Sequence, residues 1–337
     1  MNINKLRIER LTTLDIDFKR VKNIVKNNYE YEVEEDTFDE FFENIDDYTD
    51  IDQNELLSIL EKEYYKKMSV LSMRKMKKGA EFPVCEEILN PTFATYFKQI
   101  NNINFIDDKE HFEGINECYK VVSYKEIISE ESIKCVDLKI ACVRTFIKKV
   151  TLENGVVEDE EIEVFDCARF FIDLDNKRIY MFYNEWPAGM SIEKNGYTEK
   201  KQFFYDLFKS ATRGNILSFV LSDKLTEYFQ EYYNDLSEGK SKKVISYIEA
   251  SSVDEKVKVL KSINYEYKHK PKAIDAIKDA IDNDNYHIAV IECLVSGRLV
   301  KIKDNGSISV NDAGVCKEVL EYVCREFIGP NKWLDYC

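Results

Sequence analysis

NYHIAVIECLVSGRLVKIKDNGSISVNDAGVCKEVLEYVCREF, residues 285–327, is the stretch whose reading decides the fold of this chain. Its opening run, 288–295, is continuously apolar apart from Glu292, and Gly297 stops it. Leu299, Ile302, Ile308 and Val310 then alternate around Asp304-Asn305-Gly306, a sequence that favours a tight hairpin turn. Val315, Val319, Leu320 and Val323 recur at helical spacing, with Asn311 or Asp312 as cap and Gly329-Pro330 as terminator. Two readings of the opening run stay open. As a helix, 285–296 ends with Gly297 in the left-handed position. As a strand, it is the buried centre of a β-α-β-β-α unit over 263–327. Its β-branched residues suit the strand, but periodicity does not separate a short buried helix from a buried strand.

Upstream, Pro271 suits the first turn of a helix whose Ala273, Ile274, Ile277 and Ile281 share one face. Helix, turn at Asp282-Asn283-Asp284, second helix, hairpin and trailing helix is the order of a winged helix-turn-helix. Leu294-Val295-Ser296-Gly297-Arg298-Leu299-Val300-Lys301-Ile302, followed by Ser309-Val310-Asn311-Asp312-Ala313-Gly314, is similar to the wing and next helix of MarR- and PadR-like regulators. The resemblance covers about 60 of 337 residues and carries no catalytic signature. It implies a helix in the DNA major groove and a hairpin against the flanking backbone. Lys268, Lys270 and Lys272 beside the first helix, and Arg298, Lys301 and Lys303 on the hairpin, would then meet phosphates. His287 is the sole base-edge candidate. A winged helix that docks on protein instead is the nearest alternative for these residues.

The length of 337 residues allows two or three domains with real cores, and 44% apolar residues argue against a disordered chain. No apolar run approaches membrane-spanning length, and MNINKLRIERL lacks the apolar core of a signal peptide. Nine cysteines without a C-x-x-C pair read as reduced, mostly buried thiols, so a cytoplasmic location is expected. The net charge of -15 is concentrated in one block. Residues 30–63 hold 15 acids against Lys62 alone, leaving 48 acids and 47 bases elsewhere. Lys66, Lys67, Arg74, Lys75, Lys77 and Lys78 follow without an acid between them.

The expected class is α+β: a helical part over 1–130, an antiparallel meander with helices over 131–236, and a winged-helix-like module over 242–337. Thr37 with Glu40 and Asp52 with Glu55 have capping-box spacing. The helix after Asp52 is expected to run through Leu56, Leu57, Leu60, Tyr64, Met68 and Leu71, with the basic run as its exposed side. From Cys135 to Trp186 the period changes to two, with turns at Glu153-Asn154-Gly155 and Asp175-Asn176-Lys177.

Chemistry is thinly signalled. Phe171-Ile172-Asp173-Leu174-Asp175 looks like a phosphatase D-x-D but leads straight into another strand, which favours a hairpin turn. Asp137-Leu138-Lys139 and Glu266-Tyr267-Lys268 match a nuclease [D/E]-x-K, yet this composition yields about nine such triplets by chance. Asp254 with Glu266 and Lys268 is the best of these arrangements. Three histidines give no triad or metal set, and no cofactor is indicated. The preferred reading is a non-enzymatic regulatory protein acting around nucleic acid, in a bacterial or phage-defence setting. The alternatives are an acidic inhibitor or adaptor and a metal-dependent nuclease. For the adaptor, Glu34, Glu35, Asp36, Asp39 and Glu40 meet a basic protein partner. A homodimer is compatible with each.

Overall fold

The computed structural model describes residues 2–14, 16–77, 80–83, 109–129, 132–151, 155–187, 190–191, 196–212, 214, 216–240, 244–252, 271–283, 286–311 and 314–329. Four helices come first: α1 (Ile3–Thr12), α2 (Phe18–Tyr29), α3 (Phe38–Glu43) and α4 (Gln53–Glu63). Strands follow as β1 (Lys67–Ser72), β2 (Arg74–Lys77), β3 (Ala80–Pro83), β4 (Lys120–Ser129), β5 (Ser132–Thr151), β6 (Val157–Asp173), β7 (Arg178–Tyr183) and β8 (Met190–Ser191). Next are α5 (Gly196–Ala211), β9 (Leu217–Ser218), α6 (Ser222–Ser237), β10 (Ile245–Ser251) and α7 (Pro271–Asn283). The chain closes with β11 (His287–Val295), β12 (Arg298–Lys303), β13 (Ser307–Val310) and α8 (Lys317–Val323). The fold class is α+β, with antiparallel pairing inside each of two compact units. One unit takes residues 1–65 and 73–216, the other 66–72 and 217–337.

In the first unit the strand order is β7-β6-β5-β4, with β8 on β5 and a separate β2–β3 hairpin. The meander read from the period-two stretch is present, and Asp173 closes its turn by accepting from the Asn176 backbone and side-chain amides, each at 2.8 Å. Register places Leu138 opposite Phe170, and the Phe204 and Phe208 rings of α5 pack on Phe170 at 5.2 and 4.9 Å. The opposite face, with Lys139 and Cys167, meets α1 and α4. The helices bury their own cluster of Val21, Val25, Phe41, Leu56, Leu57 and Leu60. Both expected caps form: Thr37 accepts from the Glu40 amide, and Asp52 accepts from Asn54 and Glu55.

The helix expected through Met68 and Leu71 stops at Glu63. Lys67–Ser72 is instead β1, so the basic run is extended chain and not the outer side of a helix. Met68, Val70 and Leu71 mix helical and alternating spacing, and ladder pairing with β13 decides it.

In the second unit the order is β10-β11-β12-β13-β1, with β9 on β1. The opening run of the decisive stretch is therefore a strand, and the reading helix implied by the winged-helix resemblance is not there. β11 is paired on both sides, to β10 and β12. Ile248, Ile291, Ile302, Ile308 and Met68 form one buried row across five strands. Gly297 does not stop a helix. Ser296 and Gly297 have φ of 48° and 80°, the two positive values a tight hairpin needs, and they return the chain into β12. A glycine after an apolar run signals a helix end and a hairpin equally well.

The rest of the stretch follows its reading more closely. Asn305-Gly306 turns β12 into β13, and α7 spans Pro271–Asn283 with Ile274 and Ile277 buried. α8 begins after Cys316, so Asn311 is not its cap, and Asp312 lies outside the described residues. The segments at 253–260 and 263–270 also lie outside them.

Candidate functional site

The cations read as phosphate contacts are not gathered. Lys268 and Lys270 lie outside the described residues; Lys272 is on α7, its side chain also outside them. His287 opens β11 with Nε2 3.3 Å from an Asp304 carboxylate oxygen, so it is held at a strand end and not presented on a helix. Arg298 donates to the Gly314 carbonyl at 3.0 Å, and Val300 and Ile302 on its side of β12 are buried. Lys301 faces the other way, in a row running Tyr247, Glu292, Lys301, Ser309, Lys67. Its ammonium lies 5.4 Å from the centre of the Tyr247 ring, and Lys303 is exposed at the end of the strand. Arg298 and Lys301 thus stand on opposite faces of the sheet.

The acidic block behaves differently. Of its 15 acids, 12 are exposed, and the intervening apolar residues form the helical cluster beneath them. Glu34, Asp36, Asp39 and Glu40 are exposed, while Glu35 is half-buried and accepts from the Tyr48 hydroxyl at 2.6 Å. That bond and the one from Asn44 hold the Glu35 carboxyl below its ordinary value, although burial pulls it the other way. The side chains are thus carried on a rigid scaffold of Phe38, Phe41, Phe42 and Ile45. Among the described residues, no lysine or arginine lies within ion-pair distance of Glu34, Asp36, Asp39, Glu40, Glu43, Asp46 or Asp47.

Glu61 is the buried acid of the block, and the solvated-face reading misses it. It is 5% exposed and receives Arg7 at 2.7 Å and Lys139 at 2.5 Å; Glu110 takes the same two cations at 3.0 and 2.6 Å. Two cations meet two carboxylates, so the set is neutral. Burial alone would raise the Glu61 carboxyl, but Arg7 and Lys139 outweigh it and hold it at about 2. Burial would likewise lower the Lys139 ammonium, and the two glutamates raise it instead. Asp137, two residues away, is claimed by Arg169, whose Nε lies 2.8 Å from one of its oxygens. Both ionisable groups of the nuclease-like triplet are thus engaged in internal ion pairs. Among the described residues no group of His, Cys, Asp and Glu is arranged to hold a metal ion. Asp254, Glu266 and Lys268 lie outside them.

A second ionic group lies on the α5 side of the sheet. Asp166, 1% exposed, takes Lys200 at 2.8 Å and the Tyr119 hydroxyl, with Arg10 at 3.9 Å. Lys200 also donates to the Asn184 carbonyl at 2.6 Å and stands 3.9 Å from the centre of the Trp186 ring. Arg144 lies over the same ring at 5.4 Å and over Tyr119 at 5.7 Å. Sequence reasoning missed these groups, although a signal existed for two residues. Arg7 stands four and seven residues before Leu11 and Leu14, and Glu61 stands four after Leu57, so each charge occupies an apolar face.

No protein-family model matches the sequence, and neither does any curated protein.

Proposed function

We propose that the chain is a binding protein whose acidic helical face docks on a basic protein partner that itself handles nucleic acid. The carrying observation is the row of exposed carboxylates between Glu34 and Asp47, fixed on a buried aromatic scaffold and lacking described cation partners. A dense array of carboxylates on a packed scaffold can imitate a phosphate backbone, and an external cationic surface relieves their mutual repulsion. Held on caps and core, the acids cost a partner little ordering entropy.

The test is displacement of a fluorescent DNA duplex from purified basic DNA-binding proteins. The native chain should release the duplex, and release should weaken as salt rises. Changing Glu34, Glu35, Asp36, Asp39 and Glu40 to their amides should abolish it with the fold intact. Equal displacement by the amide variant would remove this reading.

Direct contact with nucleic acid is a second reading, favoured by one observation. Lys67 and Lys301 lie in one row on the polar face of the second unit's sheet, with Tyr247 at its end. Glu292 in the same row opposes it, so any such contact is to backbone and strongly salt-dependent.

A further inference from the structure

Among the described residues of the first unit, one buried ionic cluster holds more cations than carboxylates. Arg7 and Lys139 are matched by Glu61 and Glu110, and Arg169 by Asp137. Around Asp166, one carboxylate serves Arg10 and Lys200, whose side chains are 6% and 1% exposed. Tyr119 donates to the same carboxylate, so it supplies no negative charge. Half-buried Arg144 adds a third cation, held by the Glu117 carbonyl at 3.3 Å and by two aromatic rings. Among the described residues, three cations against one carboxylate leave two positive charges in excess, with Arg10 and Lys200 buried and Arg144 half-buried. Such an excess is costly unless an anion meets it. Burial lowers both the Lys200 ammonium and the Arg10 guanidinium, and the single carboxylate does not restore them.

The surroundings supply the rest of a site. Trp186 is half-buried and contacts both Lys200 and Arg144 through its ring. Tyr119 stacks on Phe203 with ring centres 5.2 Å apart, and Phe203 is 42% exposed. Aromatic faces beside cations suit a ligand that joins a flat ring to a charged group. We propose that Arg144, Lys200 and Trp186 form a binding site for a phosphoryl group, free or carried on a nucleotide. A phosphoryl group carries close to two negative charges near neutral pH, which matches the local excess. Arg144 offers its planar fork to the oxygens, and Lys200 acts as a point charge behind it. This proposal is independent of the acidic docking face.

Tryptophan emission tests it. The chain has two tryptophans, so a Trp333→Phe background leaves Trp186 as the reporter beside the site. Inorganic phosphate and adenosine monophosphate are titrated separately at constant ionic strength, with chloride as the control salt. A saturable change in emission with either probe is expected, along with a rise in melting temperature. Response to phosphate identifies the free ion as sufficient; response to the nucleotide alone identifies the ring-bearing form. Arg144→Gln should weaken binding about tenfold or more, and Arg144→Lys, which keeps the charge but loses the fork, should weaken it by less than Arg144→Gln does. Arg144 is half-buried and its described partners are one carbonyl and two rings, so neither variant unpairs a buried carboxylate. No response to either probe, a response matched by chloride, or one untouched by Arg144→Gln would overturn the proposal.

Discussion

Replacing Glu61 by glutamine tests the ionic core of the first unit most directly. The carboxylate lies 2.7 Å from Arg7 and 2.5 Å from Lys139, and each attraction is about 6 kcal/mol at an effective dielectric near 20. Desolvation of the buried groups offsets much of that, but the amide would leave Arg7 and Lys139 facing Glu110 alone. Breaking a buried pair from one side costs about 3–5 kcal/mol. Against a domain stability of about 5–15 kcal/mol, that is a large share. Urea unfolding followed by Trp186 emission, in the Trp333→Phe background, reads the first unit alone. The pH dependence has a definite sign. Glu61 sits at about 2 in the folded chain against an ordinary 4.5, so its contribution is complete above pH 4.5. It is lost as pH falls from 4.5 towards 2, and over that window the stabilities of native and Glu61→Gln chains should converge. A loss below about 1 kcal/mol at neutral pH, or a difference that grows on acidification, would refute the reasoning.

Further outcomes follow from the local geometry. At Gly306, φ is 72° and an added Cβ would stand 2.7 Å from the Phe219 carbonyl, so Gly306→Ala should destabilise the second unit by about 2–3 kcal/mol in urea melts. Thr37→Ala and Asp52→Ala each remove a helix cap and should cost about 1 kcal/mol, read by thermal unfolding of the helical signal. Cys118 is exposed while Cys135, Cys142, Cys167, Cys293, Cys316 and Cys324 are buried, and burial raises Cys167 to about 12. Brief alkylation followed by mass spectrometry should therefore mark Cys118 and spare these six. Reversing Lys301 and Lys303 to glutamate should weaken any duplex shift and flatten its salt slope, and an unchanged slope removes the direct-contact reading.

Much of the fold was legible from residue order. The meander shows because Val136, Leu138 and Ile140 alternate, and both caps show because Thr37 and Asp52 stand just before apolar helical spacing. The misreadings share a cause. In 287–295 and 67–72 the choice between helix and strand rests with partners far along the chain, which local spacing does not register. The ionic groups were harder still. A lysine in a strand reads as solvent-facing, and only its placement beneath Glu61 and Glu110 shows Lys139 to be interior. The acidic face was readable because charge and cap signals coincide on short helices.

The pairing of β1 with β13 also shapes how this chain is made. Lys67 and Ser309 are partners although roughly 240 residues separate them. At a synthesis rate of about 5–20 residues per second, β1 emerges about 12 to 48 seconds before its mate exists. Until β9 and then β13 are made, Met68, Val70 and Leu71 form an apolar strand short of these ladder partners, open to stray association with neighbouring nascent chains. Lys66 and Lys67, standing at its entrance, put positive charge where a gatekeeper against such association belongs.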